Sequence, residues 1–223
     1  MTLENLDIIN TNYYKNFIES KNDYKKINIK TSQQEIDTFL FDQNMKNIEL
    51  PDVDELESDI NYIFHTFEFK EKTGLCTYLN RIGSKSFILS SRLDFGYITV
   101  GSVLFKSKNV FNVPAKNEFL RKIKHEYLEN QKVRLGGNIH VWLTLQNGQI
   151  LDVSINHTLN GNKNIIIGRP DTLLRDHHLE YLPYFVVDMH DLSILNDQYK
   201  DLTKRRSIKG SLMANDFNNL ETY

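Results

Sequence analysis

The sequence predicts an α+β fold, because an apolar pattern of helical spacing is followed by segments with the composition of strands. From Leu75 onward, apolar residues recur at spacings of four, three, seven and four, which keeps one face of a helix toward a core. Residues 97–105 are expected to form a strand, and residues 138–145 and 149–155 form two more around an Asn-Gly turn. A charged helix is expected near residues 115–130.

Helical signals also dominate residues 1–66. Residues 13–18 hold the apolar cluster of an otherwise polar N-terminal segment and allow a short helix there. Residues 31–35 resemble a capping box with a partial apolar stripe behind it. Residues 50–54 restart a helix, with a proline in its first turn, that is expected to reach about residue 65.

The chain is expected to divide into a mainly helical region at 1–66, a principal domain at 67–200 and a polar tail at 201–223. Its 223 residues are 40% hydrophobic and 25% charged, which is the composition of an ordinary globular protein. The sequence contains no internal repeat, so a solenoid is not expected.

The formal net charge of −2 gives no electrostatic reason to expect a nucleic acid or an anionic membrane as partner. The first residues lack the basic start and apolar core of a secretory signal, and no stretch approaches the ~18 apolar residues of a membrane span. We therefore expect a cytoplasmic protein without nucleic-acid or membrane partners, and secretion as an effector is the alternative. The sequence leaves the oligomeric state open.

Cys76 is the only cysteine, which excludes an internal disulfide and a metal site built on several thiolates. It lies in the first turn of the helix predicted from Leu75. There, the positive end of the helix dipole and unpaired backbone N–H groups would favour a thiolate, as a nucleophile requires, and the Cys76 N–H could help bind an oxyanion. Taken alone, a single free cysteine is more often a small buried apolar residue.

The register of the hairpin at 138–155 follows from its apolar residues. A loop of two residues would place Leu143 opposite Asp152 and mix core with polar positions. A loop of three residues, with Gly148 in a left-handed conformation, instead pairs Leu143 with Leu151. The same register continues with the pairs Val141–Val153 and Ile139–Ile155.

That register also places His140 and Asp152 diagonally on adjacent strands, within ~7–8 Å at the backbone. An aspartate bonded to one ring nitrogen would fix the imidazole tautomer and leave the other nitrogen to take a thiol proton. Singly, His140 and Asp152 could be surface polar residues. Together with Cys76 they form a candidate triad of nucleophile, base and orienting carboxylate. Trp142 is expected to be a packing residue first, and its predicted face beside the triad also makes it a candidate substrate-binding residue.

Three short segments resemble the transglutaminase-like superfamily. They are Gly-Leu-Cys at 74–76, His-Val-Trp at 140–142 and Leu-Asp-Val at 151–153, within a similarity that covers roughly residues 70–156. The resemblance implies a papain/transglutaminase-like fold, in which Cys76 begins a helix packed on an antiparallel sheet that carries the histidine and the aspartate. It also implies a protein or peptide substrate.

Three functions follow from these residues. The leading one is thiol-dependent acyl transfer on an amide: peptide or isopeptide hydrolysis, deamidation or transamidation. The alternative is a catalytically weak binding or scaffolding module, because residues 66–75 contain no Gln, Asn or Trp to serve as a side-chain oxyanion donor. The third is a secreted effector that modifies a host or competitor protein.

No cofactor and no metal are expected. His177, His178, His190 and Asp191 have side chains that can bind zinc or iron, but their spacing matches no metal motif. The basic residues near 200–209 are expected to be solvated.

Overall fold

The computed structural model of the chain describes residues 12–26, 58, 76, 96–130, 133–134, 138–145, 148–160, 165–188 and 195–196. The elements in these ranges are α1 (Asn12–Lys26), β1 (Gly96–Phe105), β2 (Lys108–Asn109), α2 (Lys116–Asn130), β3 (Val133–Arg134), β4 (His140–Leu145), β5 (Ile150–Asp152), α3 (Ile155–Asn160), β6 (Ile166–Gly168), α4 (Pro170–His177), β7 (Leu179–Asp188) and β8 (Leu195–Asn196). Ser58 and Cys76 are both helical. The capping box at 31–35 and the polar tail lie outside the described residues.

An antiparallel sheet built around β1 forms the centre of the fold. β4 pairs along one edge of β1, from Gly96 opposite Leu145 to Gly101 opposite His140. β7 pairs along the other edge, β5 and β6 extend the sheet beyond β4, and β2 folds back on the end of β1. β3 and β8 form a separate parallel pair. The helices and this sheet together are an α+β fold.

The predicted hairpin register is confirmed. Leu143 pairs with Leu151, and Gly148 has a positive φ of 81°. Backbone hydrogen bonds of 2.9 Å from the Gly148 N–H to the Leu145 carbonyl and of 2.8 Å from the Leu145 N–H to the Gln149 carbonyl close the turn. Apolar pairing across a short loop was therefore sufficient to predict which residues of β4 and β5 face each other.

The predicted length of the second hairpin strand is wrong. β5 ends at Asp152, and Ile155 begins α3, so the pairs Val141–Val153 and Ile139–Ile155 do not form. The reason is the Asp152 side chain, whose Oδ1 accepts the backbone N–H groups of Ser154 at 3.0 Å and Ile155 at 3.1 Å. An aspartate bonded to the N–H groups two and three residues ahead turns the chain into a helix start.

Both faces of the central sheet are buried. Val141 and Leu143 on one face of β4 and Trp142 and Thr144 on the other are each at most 1% exposed. The second face is covered by α1, whose aromatic residues Tyr13, Tyr14 and Phe17 are at most 5% exposed. The N-terminal helix that the sequence only allowed is therefore part of the main core, and burial of its aromatic rings is a large part of what holds it there.

A chain of buried hydrogen bonds fastens α1 to the sheet. The Trp142 indole N–H, which can only donate, points at the Tyr13 oxygen at 2.9 Å. The Tyr13 hydroxyl is thus left to donate to Thr144 at 2.6 Å, and Thr144 to Thr99 at 2.7 Å. Thr99 in turn donates to the Tyr97 carbonyl at 3.4 Å, so each polar group in this part of the core has a partner.

The pairing of β1 with β7 contains a bulge at Tyr184, the residue after Pro183. Proline has no N–H to donate to the ladder, and the register shifts there: Val100 pairs with Phe185 and Gly101 with Pro183. At the same point the two backbones approach closely, because a Cβ added at Gly101 would lie 2.1 Å from the Leu182 carbonyl oxygen. Glycine is thus required at position 101 by space.

None of the described helices is long and apolar enough to cross a membrane.

We expect Gly101→Ala to destabilise the protein by about 3 kcal/mol or more, because the new methyl group meets backbone that cannot move without breaking the β1–β7 ladder. Gly168→Ala is the matched control. Its methyl group would meet the end of the flexible Leu173 side chain at 3.1 Å, so the loss is expected to stay within about 1 kcal/mol. Urea unfolding of both variants measures the difference, and equal losses would contradict the steric argument.

Candidate active site

Asp152 is a fully buried carboxylate at the end of β5. Its Oδ1 accepts the backbone N–H groups of Ser154 and Ile155 and the Ser154 hydroxyl, the last at 3.2 Å. Its Oδ2 faces the imidazole of His140 at 2.5 Å and the hydroxyl of Tyr181 at 3.0 Å. Each oxygen therefore accepts at least two hydrogen bonds, which compensates for its removal from water.

His140 begins β4 and is also fully buried. Its Nε2 donates to Oδ2 of Asp152, because a carboxylate oxygen can only accept a hydrogen bond. Among the described residues, its Nδ1 makes no hydrogen bond of standard geometry. The contact predicted between His140 and Asp152 is thus present, and the ring nitrogen that remains is the one able to exchange a proton.

Cys76 lies beside this pair. It is 7% exposed, and its Sγ is 3.9 Å from the carbonyl oxygen of Ile139, the residue before His140. Cys76 is also close enough to His140 to contribute to its raised pKa. The structure therefore brings Cys76, His140 and Asp152 together, although the residues that would show whether Cys76 begins its helix are outside the described part of the chain.

The imidazole of His140 is held toward its charged form. Burial disfavours the cation and by itself lowers the pKa of His140, but this effect is outweighed. The charge and hydrogen bond of Asp152, assisted by the neighbouring Cys76, raise the pKa from 6.5 to about 10. The arrangement favours a proton on the imidazole at neutral pH.

Aromatic rings enclose the imidazole. Phe111 stacks on it, with ring centroids 4.5 Å apart and planes 6° from parallel. The loop that carries Phe111 is held by Asn109, whose Oδ1 accepts the N–H groups of Phe111 and Val113 and whose Nδ2 donates to the Val113 carbonyl. A ring face over an imidazolium is favourable and keeps water away from it.

Trp142 lies next to the site but shows the contacts of a packing residue. Its ring centroid is 6.1 Å from that of His140 and 5.1 Å from that of Tyr181. It is fully buried, and its one N–H donates to Tyr13. The indole therefore shapes the wall of the site from within the core, and its role in substrate binding stays a prediction.

Tyr181, Phe111 and Tyr13 were not singled out as site residues in the sequence. Tyr181 belongs to an apolar run that becomes β7, and it is far from Asp152 in the chain. Phe111 lies two residues beyond the short strand β2, in a segment whose sequence has no strand pattern. No local spacing connects these residues to His140 or Asp152, so only the tertiary pairing of the strands reveals them.

The histidines considered as metal ligands do not form a site in the part of the chain that the structure describes. His177 and His178 are both exposed at the end of α4, and His190 and Asp191 lie outside the described residues. Within the described residues, no three His, Cys, Asp or Glu side chains are grouped as a metal ion would need.

Comparison with known proteins gives no relative for this chain. No protein-family model, no curated protein and no solved structure matches it. The resemblance of residues 70–156 to the transglutaminase-like superfamily therefore remains a prediction from three short segments.

The raised pKa of His140 predicts a pH-dependent stability. The folded chain keeps a proton that the unfolded chain releases near pH 6.5, so the stabilisation is complete below that pH and is lost as pH rises toward about 10. The free energy of unfolding should fall over this interval, with a slope of up to about 1.4 kcal/mol per pH unit from this proton.

His140→Gln should remove this contribution, and His125→Gln, at an exposed position on α2, should retain it. Urea unfolding between pH 6.5 and 10 measures the slopes, with Cys76→Ala present in the reference chain and in both variants so that a thiol proton does not enter the comparison. Identical slopes in the reference chain and His140→Gln would contradict the coupling.

Proposed function

We propose that this protein catalyses thiol-dependent acyl transfer on an amide, with Cys76 as nucleophile, His140 as base and Asp152 as orienting carboxylate. The observation that carries the proposal is a buried imidazole whose Nε2 is bonded to an aspartate, whose Nδ1 has no partner of standard geometry among the described residues, and whose neighbour is the one thiol of the chain. This is the arrangement that an activated thiol nucleophile requires.

In the proposed reaction, the proton of the Cys76 thiol already lies on Nδ1 of His140 as an imidazolium–thiolate pair, and the thiolate sulfur attacks the carbonyl carbon of the amide. The carbonyl oxygen becomes an oxyanion, which the Cys76 backbone N–H is a candidate to bind. The tetrahedral intermediate collapses as the C–N bond breaks and Nδ1 protonates the leaving nitrogen, leaving a thioester on Cys76. Nδ1, now unprotonated, takes a proton from a water or an amine, whose oxygen or nitrogen attacks the thioester carbon. The C–S bond then breaks, a carboxylic acid or a new amide is released, and the Cys76 thiolate and the protonated His140 are restored.

The same contacts support a papain/transglutaminase-like arrangement. A helical cysteine lies beside an antiparallel sheet in which the histidine begins one strand and the aspartate ends the next. The order along the chain is cysteine, histidine, aspartate, as the sequence resemblance implies. A protein or peptide is the proposed substrate because an amide carbonyl is the group that such a site attacks.

A second candidate is a binding or scaffolding module with weak catalysis, and burial favours it. His140 and Asp152 are 0% exposed and Cys76 is 7% exposed. A substrate carbonyl must reach the sulfur, whereas a module that uses another surface has no need of an open thiol. The reactivity of Cys76 distinguishes the two candidates.

The test is the rate of iodoacetamide labelling of Cys76 as a function of pH. If the proposal holds, labelling of the wild type is already at its full rate at pH 7, because the thiolate is present there. His140→Ala should lower the rate at pH 7 by about tenfold or more, since a free cysteine is only a few per cent thiolate at that pH. Asp152→Asn should cause a smaller loss.

The matched controls are His125→Ala and Asp171→Asn, which change the same residue types at exposed positions on α2 and α4. Both should label at the rate of the wild type. The enzyme proposal would be rejected if Cys76 does not react, or if its labelling rate is the same in the wild type, His140→Ala and Asp152→Asn. The binding module would then remain. For a reactive Cys76, the product masses obtained from glutamine-containing peptides with and without a primary amine separate hydrolysis, deamidation and transamidation.

A further inference from the structure

The oxygen of Asp152 that faces His140 has a second donor. The Tyr181 hydroxyl donates to Oδ2 at 3.0 Å, and the same Oδ2 accepts the proton of His140 Nε2. The three groups come from three strands, β7, β4 and β5. All three residues are at most 3% exposed, so solvent does not compete for the shared oxygen.

The geometry of Tyr181 is fixed by the sheet. It pairs with Val103 across the β1–β7 ladder, and its ring meets Trp142 edge to face. Burial, followed by the charge and hydrogen bond of Asp152, raises the pKa of Tyr181 well above its usual value of 10. The phenol therefore keeps its proton at every working pH and acts toward Asp152 only as a donor.

We propose that Tyr181 is a positioning residue that limits the pull of Asp152 on the imidazole by occupying part of the oxygen that His140 uses. A carboxylate oxygen that accepts one hydrogen bond is a stronger acceptor than one that accepts two. Without the phenol, Oδ2 would bind the Nε2 proton more tightly and stabilise the imidazolium further. His140 would then be a poorer donor of its Nδ1 proton to the leaving nitrogen.

The described groups around His140 leave few other sources of such control. Asp152 is the anion that faces it, Cys76 is the thiol beside it, and Phe111 and Trp142 are uncharged rings. The catalytic consequence of the Tyr181 contact rests on the proposed function. The hydrogen-bond coupling between Tyr181 and His140 does not rest on the proposed function. The coupling and the catalytic consequence can therefore be tested separately.

The experiment compares Tyr181→Phe with Tyr13→Phe. Each variant removes one buried phenol hydroxyl from the same face of the sheet, but Tyr13 bonds Trp142 and Thr144 and does not touch Asp152. NMR of the full chain follows the titration of His140 and its Nε2 proton, assigned by their loss in His140→Gln.

In Tyr181→Phe, the pKa of His140 should rise by about half a pH unit or more, and the Nε2 proton should move downfield as its hydrogen bond shortens. In Tyr13→Phe, both should stay at the wild-type values. If the NMR spectrum of either variant is not that of the native fold, the chain with 3-fluorotyrosine at position 181 is measured instead. Because a fluorinated phenol is a stronger donor of nearly the same shape, the pKa of His140 should then fall.

An unchanged His140 titration in Tyr181→Phe, or equal changes in Tyr181→Phe and Tyr13→Phe, would overturn the role of Tyr181. Failure of the proposed function is recognised by a different result, in which the iodoacetamide labelling rate of Cys76 is the same in the wild type and in His140→Ala. Where Cys76 proves reactive, the rate of its acylation by a peptide ester should change little in Tyr181→Phe, whereas release of an amine from the matching amide should slow several-fold. A purely structural role would lower both rates together.

Discussion

A carboxylate removed from water destabilises a fold by several kcal/mol unless the protein supplies the hydrogen bonds that it loses, and Asp152 meets this condition with donors from three parts of the chain. Ser154 and Ile155 donate from the turn that follows it, and His140 and Tyr181 donate from β4 and β7. Each contact requires its strand to have the observed register. The buried charge thus couples the hairpin, the start of α3 and the far strand of the sheet.

The approach of β7 to this charge depends on the shape of β1. At Gly101 the missing side chain leaves space that the Trp142 ring fills, because a Cβ there would lie 2.9 Å from the tip of the indole. Trp142 in turn contacts Tyr181, which donates to Asp152. The bulge at Tyr184, next to Pro183, adjusts β7 at the same level. A backbone feature remote in sequence from the triad therefore sets where its last hydrogen-bond donor lies.

The sequence predicted the parts of this arrangement that local patterns determine. The Leu143–Leu151 register follows from apolar pairing over a short loop, and it was enough to bring His140 near Asp152. The end of β5 was missed because apolar alternation continues to Ile155, while the Asp152 side chain diverts the backbone into α3.

Contacts between distant parts of the chain could not be read in this way. The bonds of Tyr181 to Asp152 and of Tyr13 to Thr144 join residues 29 and 131 positions apart. Trp142 is the only tryptophan of the chain. Its indole is fully buried, donates a hydrogen bond to Tyr13 of α1 and lies next to the His140 ring. The tryptophan fluorescence of the protein, excited where tyrosine does not absorb, therefore originates from a single point where the N-terminal helix meets the triad. Undocking of that helix would be seen as light emitted at a longer wavelength.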